Sequence, residues 1–352
     1  MKINSEKPDV RRIFAENLKL ARTMRGFSMK ALSKKMSPSV TPAALSYYES
    51  GQRFPGSRHL IAIAKALDVS PDYLMNPVVA PLDESTLSFR RLASTPKRDR
   101  DAIAAQAQDA LRRIRESMIL SGGGIPTVSP VESVVIADGK SADRAALVLR
   151  KAWDLGVDPI MDVVDLLERN GLVVLSLDMP RGVSGFCGDW NDIRFVACNA
   201  SNSPFRRRST LLHEVAHLLF GCDDERLAQR FAGAFLLPRE SFEEVWGRFR
   251  RRCPSDGELL IMKNMFGTSM SSIVMRAVQL GFLSESQKKG YFISHPRNWQ
   301  EPGDDSAEFR EKPSLFRSRV FGLLQEERIT LTKGAALLAE SVERVRLGLA
   351  AK

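Results

Sequence analysis

Ser209-Thr-Leu-Leu-His213-Glu214-Val-Ala-His217-Leu-Leu-Phe-Gly221 is the stretch on which the reading of this chain turns. Its two histidines are four residues apart, which on a helix puts both imidazoles on one face, one turn apart. Two neutral imidazoles so placed can hold one zinc ion at about 2 Å each. Glu214 follows the first histidine and projects beside that position, where it can take a proton from water activated at the metal. Leu211, Leu212, Val215, Ala216, Leu218 and Leu219 are apolar, so the helix belongs in a core. The plainer reading is a core helix with two satisfied histidines. Burying two imidazoles and a carboxylate on one apolar helix is costly unless something offsets their desolvation, which favours the metal.

Hydrolysis at zinc needs a third protein ligand and one open position. No further histidine is near, so a carboxylate is expected. Glu225 starts the next expected helix, Asp224–Leu237, which Pro238 ends, and it shares a face with Ala228 and Ala232. Small residues on that face let the two helices approach closely. Asp223, Asp224 and Cys222 are the alternatives, and a structural role for Glu225 is to suit the positive start of its helix.

Upstream, Ser141 is expected to cap a helix over Ala142–Leu155, and Asp158-Pro159 to open another over Ile160–Asn170. Leu172–Leu177 is an apolar, β-branched run that reads as a buried strand. Gly185–Trp190 and Ile193–Cys198 flank Asn191-Asp192, a hairpin signal. The fold class is therefore multidomain, and this part is α+β with a small antiparallel sheet. An edge strand beside the metal can hold an extended peptide by backbone pairing, and the Gly185–Cys198 hairpin is the candidate.

The chain has 352 residues, 43% of them hydrophobic, enough for two or three domains with real cores. Its four cysteines (Cys187, Cys198, Cys222 and Cys253) contain no C-x-x-C pair, which argues against a disulfide framework or a cysteine-built zinc site and fits a cytoplasmic protein. No apolar leader and no run long enough to span a bilayer is read, so no membrane partner is expected. The net charge of +10 favours a polyanionic partner, most simply nucleic acid.

Residues 10–76 read as five short helices: Val10–Arg25, Met29–Met36, Pro42–Ser50, His59–Leu67 and Pro71–Met75, with caps at Ser28 and Thr41. Residues 1–76 hold thirteen Lys/Arg against six Asp/Glu. Two short helices joined by a turn inside such a unit describe a helix-turn-helix. Leu45-Ser-Tyr-Tyr-Glu-Ser-Gly51, with Phe54-Pro55 and Leu60–Leu74, resembles the phage-repressor-like (XRE) helix-turn-helix family. The resemblance implies that the third helix enters the major groove, with Thr41, Ala43, Ala44, Ser46 and Tyr47 facing an operator. The turn holds extra residues, Ser37-Pro38-Ser39, and alanines stand where this family often has polar base readers. Readout then falls on Ser46, Tyr47, Gln52 and Arg53, while Lys30, Lys34, Lys35 and Arg53 are placed for phosphates. A purely protein-binding role for this unit is the alternative.

Residues 77–140 read as a connector. Within it Lys97–Leu120 carries Ile103, Ala107, Leu111 and Ile114 on one stripe, a packing face or a dimerising one, before the flexible Ser121–Pro126.

The block Arg206–Gly221, followed by Glu225-Arg-Leu-Ala-Gln-Arg-Phe-Ala-Gly-Ala-Phe-Leu-Leu-Pro238, closely resembles the ImmA/IrrE metallopeptidases over about Ala142–Leu283. That resemblance implies a zincin-like domain over 141–283. It implies His213 and His217 as zinc ligands, Glu214 as general base and Glu225 as third ligand. It also implies, as substrate, a specific repressor or antitoxin-type protein, often genetically linked, and fusion to an XRE domain as a recurring arrangement. Toxin–antitoxin function, or a transcription factor whose metal is structural or sensory, is the competing reading. Tyr291, His295 and Arg208, with its neighbours Arg206 and Arg207, are the candidate oxyanion or substrate contacts.

Gly267–Gly281 resembles the second half of a further helix-turn-helix-like unit of this family. Residues 286–306 read as loop, and 284–352 as a helical C-terminal module with helices Leu315–Glu327 and Thr332–Leu349, capped at Thr330 or Thr332, for packing or homodimer formation.

Overall fold

The computed structural model describes residues 9–75, 95–250, 252–296, 299, 301–302 and 311–350. The first part of the expected connector, and much of the loop after residue 296, lie outside the described residues. The chain forms two compact units, one of residues 126–313 and one that joins the N-terminal helices to residues 95–125 and to the C-terminal tail. Among the described residues no helix is long and apolar enough to cross a membrane.

The N-terminal helices are α1 (Val10–Met24), α2 (Met29–Lys35), α3 (Pro42–Glu49), α4 (Ser57–Leu67) and α5 (Pro71–Met75). The side chains of Asp9, Ser28 and Thr41 accept from the backbone N–H groups of Arg11, Ala31 and Ala44, which fixes three of the helix starts. Phe14, Leu18, Leu32, Leu45, Ile63, Leu67 and Leu74 are fully buried and form the core. Each such side chain stabilises the fold by about 1.5–3 kcal/mol relative to leaving it in water. Leu45 is the inward anchor of α3, so its neighbours Ser46 and Tyr47 face out.

Helix α6 (Lys97–Ser121) packs along α1 and buries the stripe Ile103, Ala107, Leu111 and Ile114 within this unit. Arg112 on α6 is buried and donates to Asn17 Oδ1 at 2.9 Å and to Asp109 at 3.1 Å, and Asn17 in turn donates to the Leu74 carbonyl. This satisfied polar bridge fixes the register of α6 on α1.

The second unit begins with α7 (Gly139–Ala152), three residues earlier than expected. Asp138, not Ser141, is the cap; the two form a reciprocal capping box. Helix α8 (Val163–Arg169) starts later than expected, at the cap Asp162. The carbonyls of Ile160 and Met161 instead accept from Arg208.

Three strands follow: β1 (Val173–Leu177), β2 (Gly185–Trp190) and β3 (Ile193–Asn199), in the order β1-β3-β2. Strands β2 and β3 form the antiparallel hairpin, with Asn191 and Asp192 both at positive φ as a two-residue turn of the primed type requires. Strand β1 joins in parallel, so the sheet is mixed. The cause is the connection 178–184, which carries the chain past the slot that β3 then fills.

Helix α9 (Pro204–Phe220) lies against β2 and β3, and α10 (Glu225–Leu236) packs on α9 and α7. Val196, Leu212, Val215, Ala228, Phe231, Ala232 and Phe235 are fully buried between these elements. Helices α11 (Arg239–Trp246), α12 (Asp256–Phe266), α13 (Met270–Gln279) and α14 (Glu285–Ser294) complete the unit. Helix α14 occupies ground read as loop, because Ser284 and Gln287 form a capping box there.

The tail holds α15 (Leu315–Gln325), α16 (Leu331–Leu338, capped by Thr330) and α17 (Val342–Ala350). The single helix expected over Thr332–Leu349 is broken by Ala339, which adopts the left-handed conformation at φ 54°.

Candidate metal centre and nucleic-acid face

Helix α9 starts on the cap Ser203 with Pro204 at its first position and ends on Gly221 in the left-handed conformation. The turn after Gly221 brings α10 back across α9, and the small Ala228 and Ala232, both fully buried, allow the approach. Asp224 accepts from the N–H groups of Arg226 and Leu227 and thereby caps α10, which turns Glu225 toward the two imidazoles.

His213, His217 and Glu225 converge, with their ligand atoms all within 4.8 Å of one another. The Nε2 atoms of the histidines are 3.0 Å apart. Glu225 Oε2 is 3.2 Å from His213 Nε2, and Oε1 is 3.6 Å from His217 Nε2. Ligands at about 2.0–2.1 Å from a tetrahedral ion are separated by about 3.3 Å, so these spacings fit one shared zinc-sized cation. His217 Nδ1 contacts the Cys222 carbonyl. A carbonyl can only accept, so Nδ1 carries the hydrogen and the Nε2 lone pair is left facing the cluster. The donor set, two imidazoles and a carboxylate, suits zinc and leaves a coordination position open. The Glu225 side chain is 40% exposed, so solvent reaches the cluster from its side.

Glu214 is 3% exposed, beneath β2. A Cβ on Gly185 would fall 3.5 Å from Glu214 Cγ, but 2.5 Å from both the Ala197 carbonyl oxygen and Thr210 Cγ2. Glycine is therefore required where β2 crosses α9.

Arg208, one of the candidate substrate contacts, is elsewhere. Its guanidinium is fully buried and donates to Glu311 at 2.5 Å and to the carbonyls of Met161 and Ile160. Glu311 in turn accepts from the N–H groups of Val163 and Val164 at the start of α8. Arg206 donates to Ser184 Oγ, just before β2. Tyr291 of α14 and His295, the residue just after that helix, stack on each other, and His295 faces Asp256 and Trp299. Burial raises the Tyr291 hydroxyl above its ordinary pKa. His295 is not part of the His213–His217–Glu225 group, and the contacts described for Arg208, Arg206 and Tyr291 are with other residues. Of the alternative third ligands, Cys222 contributes its carbonyl and Asp224 its cap. The Glu311 anchor was missed by sequence reasoning, since nothing local pairs it with a residue 103 positions away.

In the first unit Thr41, Ala43, Ser46, Tyr47, Gln52, Arg53, Lys30, Lys34 and Lys35 are all exposed, and Ala44 is partly covered. Arg53 lies over the Tyr47 ring at 4.9 Å, and Lys35 over the Phe27 ring at 5.2 Å. The two helices of the motif, α2 and α3, are joined by residues 36–41, longer than the usual three or four residues.

Residues 18–74 match the family model described as a helix-turn-helix. Residues 167–277 match the one described as an IrrE N-terminal-like domain, a metallopeptidase-like family. No curated protein matches the chain. The cluster lies within the second match and the exposed basic face within the first, so one stretch of the chain is similar to an XRE-type helix-turn-helix and another to an IrrE/ImmA-like domain.

Proposed function

We propose that the chain is a cytoplasmic transcriptional regulator whose zinc-dependent peptidase domain cleaves one specific repressor or antitoxin-type protein. The observation that carries this reading is the convergence of His213, His217 and Glu225 beside the buried Glu214. In this reading residues 1–76 bind an operator through α3 and the basic residues around it. The segments 77–140 and 284–352 connect and pack, and residues 141–283 carry the chemistry.

His213, His217 and Glu225 would hold the zinc ion. When bound, it would supply a Lewis acid for the scissile carbonyl and for water activation. Glu214 accepts the proton of the attacking water and hands it to the leaving amine. Its burial beneath β2 keeps bulk water from competing for that carboxylate. Strand β2 is at an edge of the sheet, the position at which an extended substrate segment adds by backbone pairing. The DNA-binding unit brings the peptidase to protein already on the operator, which supports a narrow specificity.

The test uses the full chain and, as substrate, repressor-type proteins sought among the products of the flanking genes. Glu214→Gln should keep its zinc and lose about 10²–10⁴-fold in cleavage rate. Equal cleavage by both forms removes Glu214 as the base. Zinc-free wild-type protein that still cleaves removes the metal centre.

A further inference from the structure

The tail repeats the helix, turn and helix order of the N-terminal motif, with a shorter turn. Helix α16 is followed by a three-residue turn, Ala339-Glu340-Ser341, and then by α17. Ala339 is left-handed, at φ 54°, and Ser341 caps α17 by accepting from the Arg344 N–H at 3.2 Å. A three-residue turn between two short helices, opened by a left-handed residue, has the length of the turn in a helix-turn-helix. The packing agrees. Ala335 and Leu337 of α16 and Val345 of α17 are buried, and a Cβ on Gly334 would fall 2.8 Å from Leu324 Cδ1 of α15. Helix α15 is thus the third helix on which the pair is mounted.

The face of α17 turned away from this packing is open. Val342, Glu343, Arg344, Arg346 and Leu347 are all exposed. The cations on α15 and α16 are engaged, Arg317 with Glu340 and Lys333 with Glu116. Arg344 and Arg346 are the exposed cations of the second helix, where a helix-turn-helix meets the major groove. The acidic residue on the same face, Glu343, is a type that accepts from the cytosine amino group in that groove, and exposed Val342 is a type that packs on a thymine methyl.

We propose that α15–α17 is a second DNA-binding element, with α17 as its recognition helix and Arg344 and Arg346 as its phosphate contacts. The chain then holds two separate duplex-binding helices, α3 and α17. This inference is independent of the peptidase reading and of the contacts made by α3.

The full chain is titrated with a mixed-sequence DNA duplex at salt concentrations from ~50 to ~200 mM. Two phosphate contacts contribute about 1.8 to the slope of log affinity against log salt, so Arg344→Ala/Arg346→Ala should lower the slope by that amount. Its loss of affinity across that salt range should be about tenfold smaller than that of the wild type. Arg344→Lys/Arg346→Lys keeps the charges and should keep the slope. A Lys34→Ala/Lys35→Ala variant reports on α3 separately, and combined with the alanine pair it should show an additive change. An unchanged slope in the alanine pair overturns the proposal, as does an equal change in the lysine pair, which marks a packing effect. Wild type that binds no duplex at ~50 mM salt overturns it too. So does an alanine pair that binds DNA normally but changes sedimentation, because α17 is then a self-association face.

Discussion

His213 Nε2 and Glu225 Oε2 lie 3.2 Å apart across the contact between α9 and α10. A zinc-sized cation between them would be held by the carboxylate and the imidazole together. Zinc at ~100 times its Kd should stabilise the folded chain by about 2.7 kcal/mol. Thermal unfolding with and without a chelator measures this. Glu225→Ala and His217→Ala should each raise the zinc Kd by at least about tenfold. Unchanged zinc titrations in both variants would remove the pair from the site.

Two glycines near the site should respond to alanine for different reasons. Gly221 has nothing within 4 Å of an added Cβ, so Gly221→Ala meets only the left-handed strain of φ 58°, about 1–2 kcal/mol. Gly185→Ala drives a Cβ into the Ala197 carbonyl and Thr210 and should cost more, with β2 displaced from α9. Denaturant midpoints of the two variants give the order, and the reverse order would contradict the close crossing of β2 over Glu214.

The Arg208–Glu311 pair is fully buried on both sides. Removing one partner, as in Arg208→Met or Glu311→Leu, should cost about 3–5 kcal/mol because a charge is left uncompensated. The double variant Arg208→Met/Glu311→Leu should recover much of that loss. A double-mutant cycle by chemical denaturation reads the coupling. Additive single effects would show that the pair is not a unit.

Burial pushes the Cys198 thiol up to about 11 and also raises Cys222. The thiolate is the reactive form, so at pH 8 only about one Cys198 in a thousand carries it. Alkylation of the native chain at pH 8 should label the partly exposed Cys253 first and leave Cys187, Cys198 and Cys222 to react only on unfolding. Early labelling of Cys198 would mean that β3 opens locally.

The sequence was most readable where one local rule acted alone. The spacing of His213 and His217 declares a shared helix face, and Asn191-Asp192 declares a hairpin. It was least readable where distant groups decided local structure. Arg208 takes the carbonyls of Ile160 and Met161, so α8 starts at Val163 although Asp158-Pro159 looks like a start. Ala339 breaks the tail helix without the glycine that usually signals a left-handed residue. The parallel pairing of β1 depends on where a later strand inserts, which no window around Leu172–Leu177 contains.

That strand order also governs how the chain folds as it is made. Strand β3 is last in sequence and central in the sheet, so β1 has no partner until the β2–β3 hairpin has closed. Hairpins close in about 1–10 μs, whereas the non-local parallel pairing must first meet its loop-closure entropy. During synthesis β1 therefore leaves the ribosome as an apolar segment waiting for its neighbour. Residues 213 and 217 follow at once, but their carboxylate partner arrives only with α10, so the three-residue cluster is complete only after the sheet strands have been made.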